Sequence, residues 1–88
     1  MKEVKMFSLK TCPHCKKAIL LMEEICSEYP EYKAVKVDRI DEREQADYAA
    51  NFDYYYVPTF YVGNIKMHEG APTKEAIKKV YTEAVKDS

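Results

Sequence analysis

Along the chain, apolar and polar positions change period several times, and each change marks an element. Val4, Met6 and Ser8 alternate with Lys5, Phe7 and Leu9, so Lys2 to Leu9 carries apolar residues on both faces. That is the pattern of a strand covered on both sides, and it predicts a central first strand. From Pro13 to about Tyr29 the period lengthens. Apolar residues at 15, 18, 22, 25 and 29, with 19 and 26 beside them, trace one helical stripe that Pro30 ends. Tyr32 to Asp38 places Val35 and Val37 on one face against Lys36 and Asp38 on the other, which predicts a half-exposed edge strand. Asp41 followed by Glu44 resembles a capping box. It predicts a second helix running to Asn51–Asp53, with Ala46, Ala49 and Ala50 as its small inner face. Thr59 to Val62 reads as a short central strand, Gly63-Asn64 as a two-residue hairpin turn, and Ile65 to Glu69 as the returning edge strand, broken by Gly70. Pro72 or Thr73 opens a last helix, with Ile77, Val80, Tyr81, Ala84 and Val85 on its apolar stripe.

The predicted order is βαβαββα. One crossover gives two parallel strands and one hairpin gives two antiparallel strands, so the fold class is α/β with a four-stranded mixed sheet flanked by three helices. A single domain spanning 1–88 is expected, since a chain of 88 residues supports one modest core.

Composition changes this picture little. The 14 basic and 15 acidic residues balance, so no field favours nucleic acid, and no apolar run is longer than Ala18 to Met22, far too short to cross a membrane. Neither nucleic acid nor membrane is an expected partner, and a monomer is expected. Charge is uneven locally. Met1 to Lys17 holds five lysines against Glu3, whereas Glu23 to Asp47 holds nine acids against four bases. An odd number of cysteines, three, in a chain without a charged leader and apolar run fits a reducing, cytoplasmic setting rather than a disulfide framework.

The basic stretch coincides with the candidate chemistry. Cys12 and Cys15 are three apart, at the junction between the first strand and the first helix. A helix beginning at Cys12 or Pro13 turns its free N–H groups and positive dipole end toward the Cys12 sulfur, which favours a thiolate, while Cys15 lies one turn deeper. Pro13 suits the first helical turn. Cys12 and Cys15 are therefore the expected catalytic pair, attacking and resolving, with His14 and Lys10 as the cations expected to tune them. One C-x-x-C lacks the second ligand pair of a closed zinc site, and His68 is the only distant candidate ligand. A non-catalytic carrier of soft metal on the two sulfurs is the alternative reading; no metal site is expected on the main one. Cys26, eleven residues beyond Cys15 on the same helical face, reads as a small core hydrophobe. Of Tyr54, Tyr55 and Tyr56, one is expected to plug the core and another to line a groove.

With these elements in place, the chain resembles a glutaredoxin, the smallest form of the thioredoxin fold. The resemblance rests on Thr11-Cys12-Pro13-His14-Cys15 after the first strand, Val57-Pro58 before the third, and Gly70 between the fourth strand and the last helix. It implies a cis peptide before Pro58, opposite the dithiol, with the Val57 backbone pairing with substrate. It also implies a substrate surface of Tyr56, Val57, Pro58, Gly70 and Thr73, and turnover without a bound cofactor, by an external thiol reductant such as glutathione or a reductase. The expected partners are disulfide-containing proteins or small thiols, with glutathione or thioredoxin reductase as electron source.

The departures are specific. His14 stands where the family has tyrosine, as in bacterial periplasmic oxidases, and Tyr56 where it has threonine. Gly70-Ala71-Pro72-Thr73-Lys74 replaces the Gly-Gly and acid that hold glutathione, and Lys10 stands two rather than three residues before the first cysteine. Thioredoxins carry tryptophan before that cysteine and a buried acid six positions earlier; here those positions hold Thr11 and Met6. The expected activity is a dithiol–disulfide oxidoreductase that prefers protein or peptide disulfides, or small anionic thiols, to a specific glutathione complex.

Overall fold

The computed structural model describes residues 1–86; the last two residues of the expected domain lie outside the described ones. The chain runs β1 (Val4–Ser8), α1 (Pro13–Glu28), a 3₁₀ helix (Pro30–Ala34), β2 (Val37–Asp41), α2 (Ala46–Ala49), β3 (Thr59–Val62), β4 (Ile65–Glu69) and α3 (Lys74–Val85). The strand order is β2-β1-β3-β4, so the two strands with apolar residues on both faces are central and the two alternating ones are edges. β1 pairs in parallel with β2 (Val4 opposite Val37) and antiparallel with β3 (Val4 opposite Val62).

Because side chains alternate across a strand, β1 feeds two cores. Val4 and Met6, with Phe60 and Val62 of β3, pack under α1 and α3 among Ala18, Met22, Ile25, Ile77, Val80 and Ala84. Phe7 points the other way, to Ile40, Ala49 and Tyr61, where its ring also meets Phe52, Tyr48 and Tyr54. Val62 and Ile65 flank Gly63-Asn64 as partners. Gly63 has φ +59°, and among the described residues no non-glycine has a positive φ. The turn therefore has glycine at its first central position, the type II′ arrangement whose twist suits a hairpin. β4 bulges between the partners of Phe60 and Tyr61.

Two expectations are corrected. The second strand was expected over Tyr32–Asp38, but it begins at Val37. Pro30 starts a 3₁₀ helix, where its fixed φ fits the first turn, and Tyr32 N–H donates to Tyr29 O at 2.9 Å. Tyr32 is thereby free to stack on Tyr81 at 5.4 Å and to bond Thr82 Oγ1 at 3.2 Å, which ties this turn to α3. The second helix was expected to run to Asn51–Asp53, but it is a single turn. Asp41 Oδ1 accepts from Arg43 and Glu44 N–H at 2.8 and 3.1 Å, as a cap would, yet the Glu44 carboxylate is drawn to Lys10 instead of returning to close the box. Of the three alanines expected inside, only Ala49 is buried; Ala46 and Ala50 are exposed. The last helix opens as expected, with Thr73 as its N-cap, accepting from Ala76 N–H at 3.1 Å.

Candidate active site

The sheet and α1 converge on the two cysteines. Cys12 N–H donates to Leu9 O at 3.2 Å, which folds the chain sharply from the end of β1 into the helix. Cys12 is the N-cap residue, with extended backbone (φ −82°, ψ 117°), and Pro13 occupies the first turn. Its Sγ accepts from Cys15 N–H at 3.4 Å. A side chain at this position normally supplies an oxygen to the unpaired helical N–H groups; here a sulfur does so. Cys12 is partly exposed whereas Cys15 is 2% exposed, on the buried stripe with Ala18, Met22 and Ile25. Burial pushes the Cys15 thiol up to about 12; the Leu9 backbone opposes this, and Cys12 and the charge of Glu42 reinforce it. All three cysteines are free thiols.

Facing Cys12 is the segment that precedes β3. The Val57–Pro58 peptide is cis. The Cys12 thiol donates to Val57 O at 3.9 Å, Pro58 is buried, and Pro58 O accepts from Gly70 N–H at 2.9 Å. Gly70 has φ +93°, in the region reserved for glycine, and a Cβ there would lie 3.9 Å from Tyr56 Cβ. The structure therefore brings together Cys12, Cys15, Tyr56, Val57, Pro58 and Gly70. Tyr56 is 70% and Tyr55 86% exposed, while Tyr54 is the core plug, stacked 4.9 Å from Phe7 with its hydroxyl donating to Glu42 at 2.7 Å.

The remaining candidates stand elsewhere. His14 is exposed in the first turn of α1. Lys10 is exposed with its ammonium paired to Glu44 at 2.5 Å, so its charge is matched by an acid. Thr73 is occupied in capping α3, and Lys74 pairs with Glu24 at 2.7 Å and with Glu28, tying α3 to α1. Cys26 is half-buried at the edge of the core, beside an open hollow of about 310 Å³ lined by Met22, Lys33, Arg39 and Tyr81. His68 Nε2 lies 3.1 Å from both Gly70 O and Ala71 O, so that nitrogen carries its proton. Among the described residues no group of three His, Cys, Asp or Glu stands close enough to hold a metal ion, and no helix is long and apolar enough to cross a membrane.

Two residues beside the cleft escaped sequence reasoning. Glu42, just beyond β2, bears on Cys15 and holds Tyr54; Glu69, closing β4, accepts N–H groups from Tyr55 and Tyr56. Each reads in sequence as a solvated acid at a strand end, and nothing in spacing sets it apart.

A family model described as Thioredoxin matches residues 3–83. A thioredoxin of Methanocaldococcus jannaschii is 35% identical over 75 residues, covering 85% of this chain and 86% of that one. Among solved structures, mitochondrial thioredoxin 3 of Saccharomyces cerevisiae superposes with a TM-score of 0.70 at 24% identity, covering 93% and 77% of the two chains. The germline-specific thioredoxin Deadhead of Drosophila melanogaster does so with 0.70 at 17%, covering 96% and 81%. These matches carry the thioredoxin fold and a dithiol–disulfide oxidoreductase, and they do not support the narrower glutaredoxin resemblance. With the C-x-x-C dithiol at the start of α1 and a family match over nearly its whole length, the chain belongs to the thioredoxin family.

Proposed function

We propose that this dithiol–disulfide oxidoreductase reduces disulfides in extended polypeptide segments, with Cys12 as attacking nucleophile and Cys15 as resolving thiol. The observation that carries this reading is the asymmetry of the two sulfurs: Cys12 is reachable and 3.9 Å from the Val57 carbonyl, and Cys15 is buried and held as a thiol. In the first step the Cys12 thiolate attacks a substrate sulfur, a Cys12–substrate bond forms, the substrate S–S bond breaks, and one substrate sulfur leaves as thiolate. In the second, Cys15 sulfur attacks Cys12 sulfur. The Cys12–Cys15 bond forms, the second substrate sulfur leaves, and the proton lost by Cys15 balances the one it takes up. Two electrons pass from the dithiol to the substrate.

A specific glutathione complex has little support. Pro72 has no N–H to offer, Thr73 Oγ1 is engaged as a cap, and Lys74 is paired with two acids. The electron donor we favour is therefore a flavin-containing thioredoxin reductase, in the reducing setting of a cytoplasm, where free thiols persist. Insulin reduction coupled to thioredoxin reductase, run beside glutathione with glutathione reductase, tests the reading. Faster turnover with the reductase, together with a stable mixed disulfide on Cys12 in the Cys15→Ser variant, is the expected result. Turnover with glutathione alone, or an adduct on Cys15 in Cys12→Ser, would overturn it.

A further inference from the structure

The segment before β3 has no ladder of its own and is held by side chains, with Tyr61 Oη donating to Asp53 O at 2.8 Å at one end and Glu69 gripping the other. Glu69 Oε2 accepts from Tyr55 N–H at 2.5 Å and from Tyr56 N–H at 3.0 Å. Its other oxygen accepts from Lys66 Nζ at 2.8 Å, and Lys66 also reaches Asp53 O at 3.3 Å. The carboxylate and its lysine thus grip both ends of the 53–56 segment. Beyond it, Thr59 Oγ1 donates to Tyr56 O at 2.5 Å and Gly70 N–H, next in chain to Glu69, donates to Pro58 O. Among the described residues the Val57 N–H is left with no protein acceptor, and the Val57 carbonyl faces Cys12. The Tyr56 N–H and carbonyl and the Pro58 carbonyl are thus taken, and the Val57 N–H stays open to a substrate strand.

Accepting two consecutive N–H groups on one ionised oxygen is a charge-assisted arrangement, stronger than neutral bonds. It also leaves its mark on the acid: Lys66 first, then the two N–H groups, pull the Glu69 carboxyl down to about 2. The clamp is therefore intact wherever an ordinary carboxylate is still titrating. It turns the Tyr56 backbone inward while its ring stays in solvent beside Gly70, at the flank of Val57.

We propose that Glu69 is a positioning residue for polypeptide substrates: through the Tyr55 and Tyr56 N–H groups it sets the Val57 edge against the Cys12 sulfur and presents the Tyr56 ring to the chain flanking the substrate's disulfide. This inference rests on the reading of Cys12 as nucleophile and of peptides as substrates. A misplacement of that edge by about 1 Å costs on the order of 100-fold where the edge orients the reacting atoms. A disulfide too small to reach Val57 does not use the edge at all.

The test is steady-state reduction of a disulfide-linked peptide and of hydroxyethyl disulfide by wild type, Glu69→Ala and Glu69→Gln, each with its Cys12–Cys15 potential measured. Glu69→Ala should raise KM for the peptide about tenfold or more, with the hydroxyethyl disulfide rate within about twofold and the potential unmoved. Glu69→Gln, which keeps an acceptor oxygen in place, should recover most of the loss. Where Glu69→Ala fails to fold, Glu69→Asp, whose carboxyl is one methylene short of the two N–H groups, takes its place. Unchanged peptide KM in a folded variant, or equal losses on both substrates, would overturn the role of Glu69 and leave the function standing. Wild type that reduces hydroxyethyl disulfide but not the peptide would overturn the function and this inference together.

Discussion

The unequal burial of the two thiols makes a kinetic prediction that follows from one number. Cys15 is pushed up to about 12, with burial as the largest cause, and replacing Cys12 by serine leaves that burial in place. At pH 7 a thiol of this kind is ionised to about 10⁻⁵, against about 3% for an ordinary thiol near 8.5, a deficit of about three and a half decades. Its thiolate is intrinsically the better nucleophile, and with a Brønsted coefficient of about 0.4–0.5 that returns about one and a half decades. The net expectation is a Cys15 that attacks a disulfide on the order of 100-fold more slowly than an exposed cysteine. The assay is stopped-flow reaction with a chromogenic aromatic disulfide on Cys12→Ser/Cys26→Ser, beside Cys15→Ser/Cys26→Ser; Cys26 is removed because, as a half-buried free thiol, it would add to the signal. The rate of the first variant should climb about tenfold per pH unit between about pH 7 and 10 without a plateau. The same shift has a stability consequence. A folded pKa raised above the unfolded value favours the protonated fold below about pH 8.5–9, and that contribution is lost as pH rises toward about 12, so the reduced protein loses stability on the alkaline side. A rate plateau below about pH 9, or a rate at pH 7 equal to that of an exposed thiol, would refute the assignment of Cys15 as the buried resolving thiol.

Two stability predictions concern the scaffold under the site. Phe7→Ala empties a fully buried ring from the centre of the aromatic cluster and should cost about 3–5 kcal/mol. At about 4–8 °C per kcal/mol for a chain of this size, thermal melts should show a fall in Tm of more than about 12 °C; a fall of under about 4 °C would mean that α2 and Tyr61 repack over the gap. Gly70→Ala meets no steric obstacle, since the added Cβ makes only an ordinary contact with Tyr56, but φ at +93° is foreign to alanine. It should cost at least about 1–2 kcal/mol by chemical denaturation, and a neutral result would show that the backbone relaxes there without loss.

What could be read from the chain divides by the range of the physics involved. The central strands were legible because Val4, Met6 and Phe7, and again Phe60, Tyr61 and Val62, put apolar side chains on both faces, and only a doubly covered strand satisfies that. Val35 and Val37 looked like the inner face of a strand, and Val35 is indeed buried, but its burial comes from the turn after Pro30. An alternation of four or five residues does not separate a strand from a 3₁₀ turn that buries every third side chain. The second helix failed for a different reason: the Glu44 that would close its capping box has a lysine, Lys10, within reach from a segment 34 positions away, and no local rule foresees that competition. Glu69 was illegible for a third. Besides Lys66, its partners are the Tyr55 and Tyr56 backbone N–H groups, which every residue but proline possesses, so the grip on the segment leaves no trace in residue type.

The roles of Cys12 and Cys15, by contrast, follow from where α1 begins, and the sequence states that twice. The buried stripe of Ala18, Met22 and Ile25 fixes the rotation of the helix and carries Cys15 into the core with it. Pro13, admitted in the first turn and costly deeper in, fixes its start and leaves Cys12 just outside, as the cap. Sliding the start one turn toward the N-terminus would put Cys12 inside the helix, where its sulfur could no longer accept from the free N–H groups; sliding it one turn the other way would strip Cys15 of its place on the stripe. A spacing of three between the cysteines is thus the shortest that sets one sulfur at the dipole end and the other in the core of a single helix. The chemical division between an attacking and a resolving thiol is a consequence of helical geometry before any partner group acts on either.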